Sequence, residues 1–382
     1  MTSFDITSFL PDDLEQALLI GRLWSQEAGG PILVLLRKGM AYDVTAYGPT
    51  TADLFDRADL AAFLAGVDAP LLGPVADVIP KADGLLAPCD VQAVKACGVT
   101  FAVSLIERVI EEQADGDPAK ARSIRALIGD TIGADLSKIK PGSPEAAKLK
   151  AELEARGAWS QYMEVGIGPD AEVFSKAQPM SAVGLGSDIG ILPISRWNNP
   201  EPEIVLAVNS AGTVVGATLG NDVNLRDIEG RSALLLGKCK DNNASCAIGP
   251  FIRIFDASFD IDSVRNASVS LVVEGQDDGF RLDGISHMRE ISRDPLDLVG
   301  QTVGDHHQYP DGFMLFLGTM FSPIKDRDGE GGGFTHHLGD IVTISTPQLG
   351  ALRNRVGLST ELAPWTFGTR ALYRNLAARN LL

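Results

Sequence analysis

Five runs of β-branched and aliphatic residues, EIVLAVNS (203–210), GTVVGATLG (212–220), ASVSLVVEG (267–275), FMLFLGTMF (313–321) and DIVTISTPQLGALRN (340–354), are separated by clusters of Gly, Asn and Asp. β-Branched side chains are stiff at χ1 and suit a pleated surface, while Gly, Asn and Asp supply the backbone freedom of turns. The second half of the chain must therefore build a sheet, expected to be curved and largely antiparallel. The stretch before it has a different period. In TFAVSLIERVIEEQ (100–113), Leu105, Ile106, Val109 and Ile110 fall on one side and Ser104, Glu107, Arg108 and Glu111 on the other, which predicts a two-faced helix. A further helix is predicted over ARSIRALIGDTIG (121–133). Another is announced by Ser143 as N-cap, Pro144 in the first turn, Glu145 at the positive end of the dipole and Gly157 as stop. Helices followed by strands place the chain in the α+β class.

Near the N-terminus, PILVLLRKG and MAYDVTAYGPTTADLF read as short strands and DLAAFLAGV as a helix, ending at the Pro- and Gly-bearing IPKADGLLAPCD. With 382 residues, the chain exceeds what one core usually supports. Two units are expected: a small N-terminal α/β accessory domain over 1–88 and a catalytic domain over 89–382. IKDRDGEGGGFTHHLGD (324–340) is so polar and Gly-rich that it is expected to form a mobile, unpacked loop.

The formal charge of −17 argues against nucleic acid as a partner, because phosphate binding draws on clustered Lys and Arg. No apolar run approaches the roughly 20 residues of a membrane span, and the first residues carry acids where a secretory leader carries bases. A cytoplasmic location is the expectation. Cys89, Cys97, Cys239 and Cys246 match neither a redox pair nor a zinc knuckle and are expected to be free core thiols.

The segment richest in chemistry is NNPEPEIVLAVNSAGTVVGATLGNDVNLRD. Glu201 and Glu203 are two apart, so on a strand both carboxylates leave one face, roughly 7 Å apart at the backbone. A turn at Asn209–Gly212 would fold the next strand back and bring Asp222 toward their level. Three hard oxygen donors select Mg²⁺, Mn²⁺ or Ca²⁺ over zinc. Taken alone, Glu-x-Glu is equally at home on the wet face of an ordinary strand, and Asn-Asp in an ordinary turn. GLGSDIGILP lacks the spacing of a dinucleotide loop, and His306-His307 and His336-His337 are expected at the surface, one of them a candidate lid residue.

The order of the remaining blocks decides between these readings. GLGSDIGILPISRW precedes the glutamates, and GKCKDNNASCAIGPF, DGFMLFLGTMFSP and LGDIVTISTPQLGALRN follow Asp222. Over residues 95–356 the chain resembles the fumarylacetoacetate hydrolase superfamily, and its "GVT-aromatic-x-x-Ser", SRWNNPEPE and DNNASCAIGPF segments are most similar to the 2-keto-3-deoxy-pentonate dehydratases within it.

This resemblance implies a curved mixed β-sheet or β-roll catalytic domain, with Glu201, Glu203 and Asp222 as ligands of Mg²⁺, or of Mn²⁺ or Ca²⁺. It places Lys238 in the site, with Lys240 and Asp241 competing for that place because GKCKDNNASCAIGP is longer than the form common in hydrolases. It also makes Thr319, Ser181 and Ser104 substrate contacts. Ser104 and Glu107 stand where hydrolase members carry the His and Glu that activate water. A serine without a basic partner is a poor base, so the hydrolytic pair is incomplete.

Dehydration of 2-keto-3-deoxy-D-xylonate, or of its C4 epimer 2-keto-3-deoxy-D-arabinonate, to 2,5-dioxopentanoate is the implied reaction, with Glu107 moving a proton and Lys238 sharing in proton transfer or offsetting charge. Hydrolysis of a 2,4-diketo-3-deoxy sugar acid, decarboxylation of a short keto acid, and binding without catalysis are the alternatives. The resemblance further implies a homodimer or homotetramer.

Overall fold

The computed structural model describes residues 5–79, 84–121, 124, 139–155, 159–321, 323–329 and 333–382. Its strands are β1 (Leu18–Ser25), β2 (Gly30–Arg37), β3 (Met40–Asp43), β4 (Leu71–Pro74), β5 (Leu85–Leu86), β6 (Ala93–Gly98), β7 (Glu172–Ala177), β8 (Asp188–Ile191), β9 (Pro202–Val208), β10 (Val214–Asp222), β11 (Cys246–Ile254), β12 (Ser268–Glu274), β13 (Arg281–His287), β14 (Phe313–Phe316), β15 (Ile341–Thr346) and β16 (Gly350–Leu358). The helices that matter below are α1 (Thr51–Phe55), α2 (Leu60–Gly66), α3 (Ala102–Gln113), α4 (Pro144–Ala155), α5 (Gln161–Ile167), α6 (Arg226–Glu229), α7 (Leu236–Lys240) and α8 (Thr369–Ala378).

All five β-branched runs form strands, and the α+β class holds. The larger sheet runs β4-β3-β2-β1-β11-β10-β9-β14-β6-β7, with β5 beside β1, and the smaller runs β13-β12-β15-β16-β8. Most neighbours are antiparallel, but β14 pairs β6 and β16 pairs β8 in parallel, so both sheets are mixed. Every residue of β9 is buried, as expected of a central strand covered on both faces. Its two faces feed different cores. Ile204 and Leu206 pack with Leu271, Ile344 and Leu352 of the smaller sheet, while Val205 and Ala207 pack with Leu54, Phe55 and Leu64 of α1 and α2.

β1 hydrogen-bonds to β11, so the strands before residue 88 continue the sheet that carries β9 and β10. α8 strengthens this join: Asn375 donates to the carbonyl of Ala28 at 2.8 Å, and Arg379 to that of Pro31 at 3.0 Å.

The helix expected over 121–133 lies almost wholly outside the described residues, as does its neighbour's stop at Gly157. The expectation of an unpacked 324–340 is overturned at Phe334, His336 and Asp340, while Ile324, Lys325, Asp326 and Asp328 stay exposed. Phe334, His336 and Asp340 are buried, and Arg327 clamps Asp340 through two contacts of 2.6 and 2.8 Å. A polar stretch packs once its charges are paired, and here an Arg–Asp–His set does the pairing.

Candidate metal centre and active site

The hairpin of β9 and β10 sets the geometry. Asn209 closes it, its side-chain oxygen accepting from the amides of Ala211 and Thr213, and Gly212 takes a φ of 77° that suits glycine. In the resulting register Gly220 faces Glu203 and Asn221 faces Pro202, and the Asp222 amide donates to the Glu201 carbonyl at 3.1 Å. One carboxylate oxygen from each of Glu201, Glu203 and Asp222 therefore lies within 4.8 Å of the others, all three side chains essentially fully buried. Asn221 stiffens the approach by accepting from the Glu201 amide at 3.0 Å.

Three cations touch the trio and a fourth lies behind them. The Lys240 ammonium lies 2.5 Å from Glu201 Oε2 and 3.1 Å from Asp222 Oδ2, and that of Lys176 lies 2.9 Å from Asp222 Oδ1. The guanidinium of Arg108 binds Glu201 Oε1, with Glu111 at 2.5 Å and Glu229 at 2.7 Å. Arg226, stacked 4.4 Å from the centre of the Trp197 ring, binds Glu111 at 2.6 Å and Glu107 at 3.0 Å.

Glu203 is the exception, since its contacts are the Gly318 amide at 2.7 Å and the Thr319 hydroxyl at 3.5 Å, neither of them cationic. Gly318 has a φ of 103°, and a Cβ there would sit 2.0 Å from the Thr100 hydroxyl, so only glycine can aim this amide.

The proton affinities follow. Burial, then Asp222 and Glu201, hold the Glu203 carboxyl well above the usual range. Burial also raises Glu201, against the pull of Lys240 and Arg108. For Asp222, burial is outweighed by Lys176 and Lys240, which keep it below the usual value. Burial lowers Lys240, but Asp222, Glu201 and Glu229 more than reverse this and keep it charged. A buried carboxylate with no ion pair among the described residues, facing two others across 4.8 Å or less, fits a divalent oxygen-liganded cation.

Glu172, at the start of β7, lies within electrostatic reach of Arg108, Lys240 and Glu201. Its carboxyl is pushed up to about 7 by burial and by Glu229, against the pull of Arg108 and Lys240. It packs over Gly98, where a Cβ would meet Glu172 Oε2 at 1.9 Å. Among the described residues, no hydrogen bond or ion pair ties this carboxylate down, unlike those of Glu107, Glu111 and Glu201.

The other sequence candidates divide. Thr319 is buried beside Glu203. Ser104 is buried with its hydroxyl donating to the Phe101 carbonyl at 2.8 Å, and Glu107 is buried against Arg226. Lys238 is exposed, and among the described residues no ion pair joins it to the trio; the amine there belongs to Lys240. Ser181 donates to the Gln178 carbonyl at 2.8 Å and lines a separate cavity of about 560 Å³, with Asp241 and Trp365. His306 and His307 are exposed, whereas His336 is buried with Nδ1 3.1 Å from Asp340. Arg108, Lys176, Glu172 and Glu229 were not anticipated as site residues. The four cysteines are free and buried, and no described helix is long and apolar enough to cross a membrane.

Comparison with known proteins finds no matching family model. Over 207 residues, 54% of this chain and 67% of the relative, the chain is 31% identical to a probable 2-keto-3-deoxyxylonate dehydratase of Haloferax volcanii. Over 181 residues it is 30% identical to the 2-dehydro-3-deoxy-D-arabinonate dehydratase of Saccharolobus solfataricus, a match spanning 47% of this chain and only 57% of that protein. Among solved structures, 2-keto-3-deoxy-D-arabinonate dehydratase superposes in its apo form with a TM-score of 0.62, and in complex with magnesium and 2,5-dioxopentanoate with 0.61. Each is 19% identical and covers 89% of this chain and 99% of that one. A fumarylacetoacetate hydrolase from Exiguobacterium antarcticum matches at 0.55 and 18% identity, covering 90% of this chain and 100% of that one. At such identities the structural likeness is one of fold.

Proposed function

The chain belongs to the family of the 2-keto-3-deoxy-pentonate dehydratases, lyases on the fumarylacetoacetate hydrolase fold, and from that premise we propose that it converts 2-keto-3-deoxy-D-xylonate, or its C4 epimer 2-keto-3-deoxy-D-arabinonate, to 2,5-dioxopentanoate and water. The observation that carries this reading is the buried trio Glu201, Glu203 and Asp222, with no ion pair to Glu203 among the described residues. These residues would hold Mg²⁺, the ion named in one similar structure, or Mn²⁺.

A dication held there would supply electron withdrawal that acidifies the C3 protons of a bound 2-keto acid, on the order of 8 kcal/mol for a charge 4 Å away at an effective dielectric of 20. The remaining work falls to the protein's own groups. Glu172, untied and near neutrality in its proton affinity, takes the C3 proton. The role moves to it from Glu107, whose carboxylate is committed to Arg226. Lys240, kept charged by Asp222, Glu201 and Glu229 without an ion, would offset the charge that develops on the substrate. Departure of the C4 hydroxyl follows, and Glu172, able to hold or release a proton near neutral pH, can return it to that leaving group. Loss of a C5 proton and tautomerisation then give the aldehyde. Thr319, 3.5 Å from Glu203 Oε1, would meet the substrate carboxylate. A homodimer or homotetramer is the assembly we propose.

The test is an assay of the purified, Mg²⁺-loaded protein on both C4 epimers, with the semialdehyde detected by a coupled dehydrogenase. Product from at least one epimer is the expected result. Turnover of neither, with turnover of a 2,4-diketo-3-deoxy sugar acid, would replace dehydration with carbon–carbon hydrolysis.

A further inference from the structure

One oxygen of each carboxylate in the trio lies beside a donor outside it. Glu201 Oε1 is bound by Arg108, Glu203 Oε2 accepts from the Gly318 amide at 2.7 Å, and Asp222 Oδ1 lies 2.9 Å from the Lys176 ammonium. The second oxygens are Glu201 Oε2, Glu203 Oε1, which the Thr319 hydroxyl meets at 3.5 Å, and Asp222 Oδ2. Lys240 sits on two of these three, at 2.5 and 3.1 Å, where a bound cation would take its place.

Arg108 is held by three carboxylates at once. Its guanidinium is buried and shared among Glu201, Glu111 and Glu229. Glu111 is held in turn by Arg226, and Arg226 by Glu107, by the Pro323 carbonyl at 3.1 Å and by the face of Trp197. A planar fork bound on three sides cannot swing aside as a single ammonium can. Arg108 therefore fixes how Glu201 may approach an ion, through Oε2 alone.

We propose that Arg108 is a positioning residue that confines Glu201 to one-oxygen coordination and so sets the metal preference of the site, favouring Mn²⁺ and Mg²⁺ over Ca²⁺. The inference rests on the metal reading of the trio given above. Mg²⁺ demands near-ideal octahedral geometry and is served by single oxygens plus water or substrate. Ca²⁺ takes six to eight ligands and gains from carboxylates that turn both oxygens to it. Freeing Glu201 Oε1 would offer Ca²⁺ the extra ligand that Arg108 withholds.

The experiment compares Mn²⁺ and Ca²⁺ binding to the metal-stripped full chain by titration calorimetry, for the unmodified protein, Arg108→Met and Arg108→Gln. Removing a nearby positive charge strengthens the binding of both dications alike, so the ratio of their dissociation constants isolates the positioning effect. In the unmodified protein Mn²⁺ should bind more tightly. In Arg108→Met that preference should fall by about tenfold, and by less in Arg108→Gln, which keeps one N–H donor. A folded Arg108→Met with an unchanged ratio would overturn the proposal while leaving the metal reading intact. Should neither variant fold, a crystal of the unmodified protein with Mn²⁺ decides. Glu201 bound through Oε2 only, with Oε1 on Arg108, supports it, and both oxygens on the ion contradict it. Failure of the unmodified protein to bind either ion would remove the metal reading itself, and this inference with it.

Discussion

Glu203→Gln is expected to lower turnover by about 10³-fold or more and, at the same time, to make the metal-free protein more stable at pH 8. Both effects come from one feature. Glu203 is buried, faces Asp222 and Glu201, and among the described residues hydrogen-bonds to an amide and a hydroxyl, so without a cation it holds its proton well above the usual carboxyl range.

A carboxyl whose proton affinity is raised on folding contributes stability that is fully present below its unfolded value, near 4.5, and is lost as pH rises through the folded value. The metal-free protein should thus be less stable at pH 8 than at pH 5 on account of this group. Glutamine removes the titration while keeping an oxygen for the Gly318 amide. Mg²⁺ should reverse the ranking, raising the melting temperature of the unmodified protein at pH 8 and leaving the variant nearly unmoved. Melting curves at both pH values, with chelator and with Mg²⁺, provide the check. A variant stabilised by Mg²⁺ as strongly as its parent would remove Glu203 from the ligand set.

Glu172→Gln should reduce kcat by about 10²- to 10⁴-fold, the usual worth of a positioned acid–base group, while metal affinity changes little. In the unmodified enzyme this group must be ionised to take a proton, so kcat/KM should fall with decreasing pH along a limb near 7, moved lower when a cation is bound. The variant should lack that limb.

Glu107→Gln is the control. It breaks a buried pairing with Arg226, a change of roughly 3–5 kcal/mol against stability, but should leave kcat within about tenfold at temperatures where the protein stays folded. If Glu107→Gln abolished turnover, and Glu172→Gln kept both its rate and its pH limb, the proton would have to be assigned to Glu107, as the sequence alone suggests.

The trio was readable because its geometry is local. A strand period of two and a short hairpin turn suffice to bring Glu201, Glu203 and Asp222 together, and the observed register does so. Its surroundings were not readable, because Arg108, Glu172, Lys176 and Lys240 arrive from three distant segments. Ser104, Glu107, Arg108 and Glu111 have the periodicity of a solvated helix face, yet all four are buried, since each charge is met by an opposite one from α6 or β9.

Lys238 and Lys240 show the same gap at smaller scale. Two residues along a helix turn through about 200°, so only one of the pair can face the trio, and sequence order does not say which. On the larger scale, the five β-rich runs marked the strands but not their partners. Nothing in the residues of β1 foretells that it extends the sheet of β11.

The most direct test of the central claim is the turnover of 2-keto-3-deoxypentonate by protein stripped with chelator and then titrated with Mg²⁺. Release of 2,5-dioxopentanoate should be absent at the start and should rise in step with the ion until one Mg²⁺ is bound per chain. Turnover that survives complete removal of divalent ions would contradict the assignment of Glu201, Glu203 and Asp222 as a metal centre.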